Sequence, residues 1–417
     1  MHIWIMDHYS SEPKYGGISR QYDFAKEFSR RGIQVTVIAS AFSHFSHSYI
    51  SDEKCMFSKI DDNAQYVYLK TTKYDKNGGL ARIWNMVSFL KSAWSYYKII
   101  ERQVGKPDVV VGCSIHPLTW LVSKYIAKKY NAKFIVEVRD LWPANQIEDE
   151  GMSPYHPFAI LLGMLEKWAY RKADKIIYSM SKGDKYICDI LRIPREKAIW
   201  IGQPMDCERF DENAKRYLEL DQDIRDFIGD SFVCVFTGYY MDYEGVHEMI
   251  QAAKIIRGKG LPIKFVFVGS GAEKEQMELT VKENELNNVL VYGRISKELV
   301  PALLQRADVC LAHLAVRDNP NSYRYDASKN KVNEYLYSNS CVIYGTHVKQ
   351  QIVETSGAGY TIEPFNATAF ADKIEKVYYK TPEQRLRYGE NGKAYILQHN
   401  TVEKLVDKYI ALLKGEN

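Results

Sequence analysis

The feature that most constrains the fold of this chain is an alternation of short apolar strands and amphipathic helices that occurs twice. In the first half, a strand at residues 3–6, a helix that ends at Arg31-Gly32 and a strand at residues 35–39 follow one another. Such a βαβ unit predicts parallel strand pairing, because a parallel pair needs a crossover connection. The half continues with strands predicted at residues 66–69, 108–112, 134–138 and 175–178.

The second half starts the alternation again after Pro204. It has strands predicted at residues 232–238, 264–268, 289–292, 309–314 and 341–344, and helices at residues 244–259, 272–284, 297–305, 367–379 and 384–413. The pattern predicts two doubly wound α/β domains, which bind ligands at the carboxyl ends of their strands. We expect an N-terminal domain over residues 1–203, a C-terminal domain over residues 204–395, and a helical segment over residues 396–417 that crosses back to the first domain.

Composition narrows the classes of function. The net charge is +4 and no basic run is present, so no nucleic-acid partner is expected. The seven cysteines are widely spaced without a C-x-x-C pattern, and there is no HExxH, so we expect reduced thiols in a cytosol and no metal site. The chain has no apolar run of about 18 residues, so no transmembrane helix is expected. The first seven residues read as a buried strand, not as a signal peptide.

The segment from Asp326 to Thr346 gives the strongest indication of a binding site. Ser328 is predicted to cap a new helix, which places Lys331 in the first turn and Glu334 one turn further on the same face. A helix N-terminus with a lysine binds phosphates, and a carboxylate nearby can accept a hydrogen bond from a ribose hydroxyl. The alternative is an ordinary amphipathic helix with a solvated Lys/Glu pair.

Two glycine loops are further candidates for phosphate binding. Gly16-Gly17 follows the first predicted strand, and Gly269-Ser-Gly271 ends the strand at residues 264–268. Glycines let the backbone approach a phosphate closely. Neither loop has the G-x-G-x-x-G pattern, which disfavours a dinucleotide site. The alternative for both is a plain turn that starts a helix.

Polar residues also follow two strands of the first half. Arg139-Asp140 comes at the end of the strand at residues 134–138, and His116 follows the strand at residues 108–112. Asp140 can bind a sugar hydroxyl, or it can pair with Arg139 to brace the loop. His116 is a candidate catalytic or substrate-binding histidine, or a loop residue before Pro117.

Taken together, these motifs resemble those of the retaining, nucleotide-sugar-dependent glycosyltransferases of family 4. Within them, the chain is similar to the bacterial branch that assembles O-antigen, capsule and other surface polysaccharides. The most specific match is Glu137-Val-Arg-Asp140-Leu-Trp-Pro143, which resembles the branch's E-x-R-D-x-W-P. Gly16-Gly17 matches the family's first glycine pair, and Gly269-Ser-Gly271 matches its V-G-x-G loop. Asp326 and Glu334 have the spacing of its E-x7-E motif, and residues 331–336 resemble S-K-x-x-E-Y-M.

The resemblance implies the GT-B fold, with two Rossmann-like domains whose parallel sheets face each other across a cleft. It implies transfer of a sugar from a nucleotide sugar, with a UDP-sugar as the first expectation, to an acceptor hydroxyl. The anomeric configuration is expected to be retained, and no metal or cofactor is expected to be essential. It assigns catalytic roles to Asp140, His116 and Asp326. It assigns donor binding to Gly16, Gly17, Gly238, Gly269, Gly271, Arg294, Lys329, Lys331 and Glu334.

Three positions depart from the family pattern. Asp326 replaces the first glutamate of E-x7-E, and residues 203–206 replace the interdomain N-G-V-D. Glu244 stands where many members have a phosphate-binding lysine. We expect Lys331, helped by Arg294 or Lys329, to supply the missing cation.

The implied partners are a nucleotide sugar and a glycan or polyprenyl-diphosphate-linked acceptor. Two alternatives stay open. One is a nucleotide-sugar 2-epimerase of the same two-domain architecture. The other is a catalytically degenerate GT-B subunit that binds a partner transferase, an alternative that Glu244 and Gln203-Pro204 keep open.

A helical stripe raises the question of a membrane. It consists of Ile83, Met86, Val87, Leu90, Trp94 and Tyr97, with Lys91 and Lys98 on its flank. Such a stripe suits a helix that lies on an anionic bilayer, and it equally suits a helix packed on the first sheet. A polyprenyl-linked acceptor favours the first, and we therefore expect a cytoplasmic protein with a peripheral contact to the inner membrane.

Overall fold

A computed structural model of the chain describes residues 1–17, 19–75, 79–114, 116–326, 329–349 and 351–415. The chain divides into two compact units. The first comprises Met1–Pro204 together with Val402–Asn417, and the second comprises Met205–Thr401. Ser328, the predicted helix cap, lies outside the described residues.

The first unit is built on a sheet with helices on both faces. Its strands are β1 (His2–Met6), β2 (Gln34–Ser40), β3 (Cys55–Lys59), β4 (Ala64–Leu69), β5 (Val109–Ser114), β6 (Lys133–Val138), β7 (Lys175–Tyr178) and β8 (Ala198–Trp200). Its first helices are α1 (Arg20–Arg30), α2 (Leu80–Val104), α3 (Leu118–Tyr130), α4 (Ala144–Glu148) and α5 (Pro157–Lys172). The described strands lie in the order β3-β4-β2-β1-β5-β6-β7-β8. They pair in parallel, except that β3 is antiparallel to β4.

Burial explains why the central strands could be predicted. Every residue of β1 and of β5 is buried, as expected for parallel strands that are covered on both faces. In the first unit, the strands that escaped prediction are β3, which is half-exposed, and β8, which has only three residues. Neither gives a clear apolar run, so the periodicity that reveals a buried strand is missing.

The second unit contains the remaining strands, all parallel. They are β9 (Phe232–Tyr239), β10 (Ile263–Ser270), β11 (Val289–Tyr292), β12 (Val309–Leu314), β13 (Cys341–Thr346) and β14 (Gly359–Ile362). Its helices are α6 (Cys207–Ala214), α7 (Gln222–Ile228), α8 (Val246–Gly258), α9 (Lys274–Glu283), α10 (Val300–Leu304), α11 (Asn330–Tyr337), α12 (Ile352–Ser356), α13 (Ala367–Tyr378) and α14 (Pro382–His399). The strand order is β11-β10-β9-β12-β13-β14. The chain order therefore reverses between β9 and β12, and open α/β sheets bind ligands at such a reversal.

The last predicted helix, at residues 384–413, is two helices. Helix α14 starts with a capping box at Thr381 and ends at His399, and α15 (Val402–Lys414) follows. The expected domain boundary at residue 396 falls inside α14, and the segment that belongs to the first unit begins at Val402. There α15 packs on α1, with the rings of Phe28 and Tyr409 5.2 Å apart.

Helix α2 packs its apolar side against the rest of the first unit. Met86, Phe89, Ala93 and Tyr97 are buried, whereas Trp84 is 66% and Trp94 50% exposed. The predicted stripe is therefore divided between two sides of the helix. Within the described residues, no helix is both long enough and apolar enough to cross a membrane.

Candidate functional site

A buried charge cluster lies at the strand reversal of the second unit. Lys329 directly precedes α11 and Lys331 is in its first turn, while Glu244 follows β9. Lys329 Nζ donates to Glu244 Oε1 at 2.8 Å, and Lys331 Nζ donates to Glu244 Oε2 at 2.5 Å. These three residues are called the lysine–glutamate cluster below. The two lysines that the sequence singled out are thus brought together by the glutamate that replaces the family's lysine.

The cluster carries one net positive charge. Burial lowers the pKa of the Lys331 ammonium to about 8, although Glu244 acts in the opposite direction. Burial alone would raise the pKa of the Glu244 carboxyl, but the two lysines outweigh it and keep the pKa below its usual value. Lys331 also lies over the face of Phe236, 4.2 Å from its centroid, and can gain a cation–π interaction there.

His313, at the end of β12, holds the loop that carries Glu244. Its Nδ1 donates to the Tyr243 carbonyl at 2.9 Å, and its Nε2 accepts from the Phe365 N–H at 3.1 Å, which fixes the tautomer. Lys329 Nζ donates to the His313 carbonyl at 3.1 Å. Gly245 is required here, since a Cβ would lie 2.5 Å from the His313 ring.

Close packing explains why glycine is required at several positions of the second unit. A Cβ on Gly269 would lie 1.8 Å from the Gly238 carbonyl oxygen, and one on Gly271 would lie 2.2 Å from that of Tyr240. Gly238 has a φ of 144°, and a Cβ there would lie 3.1 Å from Lys331 Nζ. Glycine at Gly269 and Gly271 is therefore explained by close strand packing alone, whereas Gly238 leaves space for the Lys331 ammonium.

The other predicted residues of the second unit are more dispersed. Arg294 is exposed and donates from Nε to Ser270 Oγ at 2.6 Å, over the ring of Tyr239. Glu334 is half-buried one turn after Lys331; burial raises the pKa of its carboxyl, against the charges of Lys297 and Arg209.

Asp326 adopts a φ of 70°, in the left-handed region that aspartate adopts more readily than most residues other than glycine. Burial first, and then the charge of Asp326, raise the pKa of the Tyr344 hydroxyl. Within the described residues this buried hydroxyl has no hydrogen-bond partner. A buried hydroxyl without a partner among the described residues is the kind of group that a ligand completes.

In the first unit, His116 lies against His8. Nδ1 of His8 is 2.5 Å from Nε2 of His116, and both side chains are buried. Burial, helped by the charge of Arg82, lowers the pKa of His116 to about 3, and burial and His116 lower that of His8 well below its usual value. Both rings are therefore neutral near pH 7, and one must donate a proton to the other.

Arg139 does not pair with Asp140. It forms an ion pair with Asp7 at 3.0 Å, which ties the end of β6 to the end of β1. Asp140 remains exposed at the strand end. Glu137 is fully buried and accepts from Arg20 at 2.7 Å and from Gln21 at 2.6 Å, so it supports α1 from within.

The loop of Gly16 and Gly17 precedes α1. Both glycines have positive φ, of 73° and 92°. A Cβ on Gly17 would lie 2.8 Å from Ser11 Oγ, while one on Gly16 would meet open space. Gly17 is thus fixed by packing, and Gly16 by its backbone conformation.

Sequence reasoning missed two members of these sites. Glu244 was noted as a departure, but not as the partner of both lysines, and His8 was not noted at all. One signal for His8 existed: β1 and β5 are neighbours, so residues that follow them meet at one edge. In the described parts of the chain, no group of three or more His, Cys, Asp or Glu is placed to hold a metal ion.

Comparison with models of known protein families shows which family this chain belongs to. Residues 15–209 match the model of Glycosyltransferase Family 4, and residues 231–380 match that of Glycosyl transferases group 1. The chain belongs to these glycosyltransferases. The two matches lie largely in the first and in the second unit, so each half of this glycosyltransferase carries its own family signature.

Curated relatives of this glycosyltransferase match it in part. EpsD of Bacillus subtilis (strain 168) is 25% identical over 254 residues, which are 60% of this chain and 64% of EpsD. O-antigen chain mannosyltransferase C of Escherichia coli is 26% identical over 190 residues, which are 45% of this chain and 47% of that protein. More than a third of the length of each of these relatives lies outside the match.

Solved structures show the same fold. HepE (Alr3699) of Anabaena, in complex with UDP, gives a TM-score of 0.68 at 14% identity and covers 100% of both chains. At this identity the likeness establishes the fold alone. The expected fold class, GT-B with two Rossmann-like α/β domains, is confirmed.

Proposed function

We propose that this chain transfers a sugar from a nucleoside-diphosphate sugar to a hydroxyl of a glycan or lipid-linked glycan in bacterial polysaccharide assembly. The observation that carries the proposal is the lysine–glutamate cluster at the strand reversal of the second unit. Two ammonium groups, Gly238 and the start of α11 come together there. This arrangement suits a diphosphate, because cations and backbone N–H groups offset the charge of the leaving group.

The residues of the second unit have distinct proposed roles. Lys329 and Lys331 bind the diphosphate, and Glu334 accepts a hydrogen bond from a ribose hydroxyl. Asp326, whose charge acts on the Tyr344 hydroxyl, binds the donor sugar. Arg294 is exposed beside Tyr239 and adds a further cationic side chain on the β10 side.

The residues of the first unit are proposed to bind the acceptor or the donor sugar. The His8–His116 pair presents one N–H donor and one nitrogen lone pair whichever ring donates, and can therefore bind a sugar hydroxyl. Asp140 is exposed at the end of β6 and can accept from another hydroxyl. Gly16 and Gly17 allow a close approach of the loop before α1.

The reaction is proposed to retain the anomeric configuration and to need no metal. The leaving phosphate itself helps to deprotonate the acceptor hydroxyl, so no dedicated protein base is assigned. No protein nucleophile is assigned either. UDP is the proposed nucleotide because HepE, which has the same fold, was solved with UDP. A polysaccharide acceptor is proposed because a relative is named as an O-antigen mannosyltransferase.

A peripheral contact with the cytoplasmic face of the inner membrane is part of the proposal. The outer side of α2 carries the exposed Trp84 and Trp94, with Lys91 and Lys98 at helical spacing between and after them. Aromatic rings together with lysines favour an anionic lipid surface. A lipid-linked acceptor would be reached from such a position.

The test of this function is a binding panel followed by an assay of transfer. Nucleotides and nucleotide sugars are added singly, and the protein's melting temperature is recorded, because a ligand of the folded state raises it. We expect a uridine diphosphate ligand to give the largest rise. Transfer to lipid-linked glycans is then measured, and the anomeric configuration of the product is read by NMR.

The same assay separates the alternatives. Steady release of an epimerised nucleotide sugar without any acceptor would indicate an epimerase. No binding of any nucleotide would indicate a subunit that has lost its catalytic role. Transfer with inversion would contradict the proposed stereochemistry.

A further inference from the structure

Glu244 divides its carboxylate between two cations. Oε1 accepts from Lys329 and Oε2 accepts from Lys331, although these contacts join residues 85 and 87 positions apart in the chain. All three side chains are largely buried, with exposed fractions of 7% for Glu244, 14% for Lys329 and 13% for Lys331. The carboxylate therefore fixes the separation of the two ammonium groups.

We propose that Glu244 is the positioning residue of the diphosphate site, which holds the ammonium groups of Lys329 and Lys331 side by side and keeps that of Lys331 charged for the ligand. The proposal rests on the proposed function of the same site. It assigns to this acidic residue, which replaces a lysine of the family pattern, an indirect role in binding an anion.

The charge balance of Lys331 supports this role. Burial disfavours its ammonium form, and the adjacent Lys329 disfavours it further, while Glu244 is the group that favours it. With all three acting, the pKa of Lys331 is about 8, so the group is mostly charged at pH 7. Without the carboxylate, the two remaining effects both lower the pKa, so a smaller fraction of the Lys331 side chains would be charged at a given pH near 7 or 8.

The pKa values of the titratable groups around Lys331 bear on its role, because a group that titrates near pH 8 would change the charge of the site as well. The pKa of His313 is lowered by burial to about 4, and that of Tyr243 is raised by burial to about 12. Tyr344 is raised well above its usual value, and Asp326 acts on Tyr344. Glu248 is bound to Arg317 at 2.8 Å. Of His313, Tyr243, Tyr344 and Lys331, Lys331 is therefore the one whose pKa lies between 6 and 9.

Donor atoms remain for a ligand. An ammonium group has three N–H donors. Within the described residues, Lys331 donates to Glu244, and Lys329 donates to Glu244 and to the His313 carbonyl. Each lysine therefore keeps at least one donor for a phosphate oxygen while Glu244 stays in place.

A simple charge argument predicts the opposite effect of Glu244→Gln on the affinity for a diphosphate. If Glu244 only repelled an incoming diphosphate, Glu244→Gln would remove a negative charge and tighten binding. If Glu244 keeps Lys331 charged and in place, the same substitution weakens binding, and more so as the pH rises. The direction of the change therefore separates the two accounts.

The experiment is titration calorimetry of UDP-glucose at pH 6, 7 and 8. UDP-glucose suits the test because its diphosphate is a diester and lacks the terminal phosphate ionisation near pH 6. We expect Glu244→Gln to bind about tenfold or more weakly than wild type at pH 8, with the difference shrinking towards pH 6 as Lys331 is reprotonated. Glu244→Asp, which keeps the charge, should recover part of the loss. Glu248→Gln, in which a half-buried glutamate that does not contact the lysines loses its charge, should bind as wild type does.

A second measurement needs no ligand. The titration of Lys331 is followed by NMR of its Cε in the free protein and assigned with Lys331→Arg. Its midpoint should move to lower pH in Glu244→Gln. An unmoved midpoint, or equal or tighter UDP-glucose binding by a folded Glu244→Gln, overturns the inference. If wild type binds no nucleotide sugar while the midpoint does move, the charge role of Glu244 holds and the proposed function is the part that fails.

Discussion

His8 and His116 share a hydrogen bond of 2.5 Å, although they are 108 residues apart in the chain. They follow β1 and β5, which are neighbouring strands, so the pair lies at the carboxyl edge of the first sheet. His8 is also stacked on Tyr9 and Phe89, with ring centroids 4.4 Å and 4.6 Å apart. Aromatic packing on both faces of His8 holds its ring, and through it the ring of His116, in one orientation.

The first prediction concerns the stability of this pair as the pH falls. Because the pKa of His116 is lowered in the folded state, the unfolded state binds more protons below pH 6.5, and the free energy of unfolding decreases between pH 6.5 and about 3. At pH 5.5 one such histidine costs about 1.4 kcal/mol. Urea unfolding of wild type and His116→Gln at pH 7.5 and 5.5 measures this. The variant should lose about 1.4 kcal/mol less than wild type, and an equal loss in both would refute the buried neutral histidine.

The second prediction separates packing glycines from solvent-facing ones. Gly269→Ala should destabilise the protein by roughly 1–3 kcal/mol, because the new Cβ would clash with the Gly238 carbonyl oxygen. The control is Gly258→Ala at the end of α8, where a Cβ meets open space. That change should be neutral or stabilise by up to about 1 kcal/mol. Chemical denaturation compares them, and similar effects at both positions would contradict the close strand approach.

The sequence predicted the alternation of elements well because buried parallel strands carry continuous apolar runs, as in β1 and β5. It did not reveal β3 or β8, whose residues are half-exposed. In the site, the helical spacing of Lys331 and Glu334 was readable, since both lie on α11. The contact between Glu244 and Lys331 was not, because it depends on the order of the strands in the folded sheet. The pairing of Arg139 with Asp7, and not with Asp140, depends on that order too.

The third prediction concerns metal. Transfer activity should persist in excess chelator, because the lysines of the second unit are proposed to offset the charge of the leaving diphosphate directly. The measurement is the rate of transfer with and without chelator. Complete loss of activity, restored by magnesium or manganese, would contradict the proposed mechanism.

The fourth prediction concerns the membrane. The outer side of α2 should bind anionic vesicles at low salt and release them at high salt, since only a few cations contribute. Sedimentation with anionic and with neutral vesicles measures this. Lys91→Glu combined with Lys98→Glu should weaken binding to the anionic vesicles. Lys282→Glu, an exposed lysine of the second unit, should not. No sedimentation with either vesicle at low salt would assign Trp84 and Trp94 to an ordinary protein surface.

The central claim is that Lys331 binds the diphosphate of a nucleotide sugar, and its most direct test is titration calorimetry of UDP with Lys331→Ala. The fold should survive, because Glu244 keeps Lys329 as its partner. We expect the variant to lose roughly 1.5–3 kcal/mol of binding free energy, the scale of a charge-assisted hydrogen bond. Lys282→Ala serves as the control and should bind as wild type does. Unchanged UDP affinity in a folded Lys331→Ala protein would remove Lys331 from the site and contradict the account.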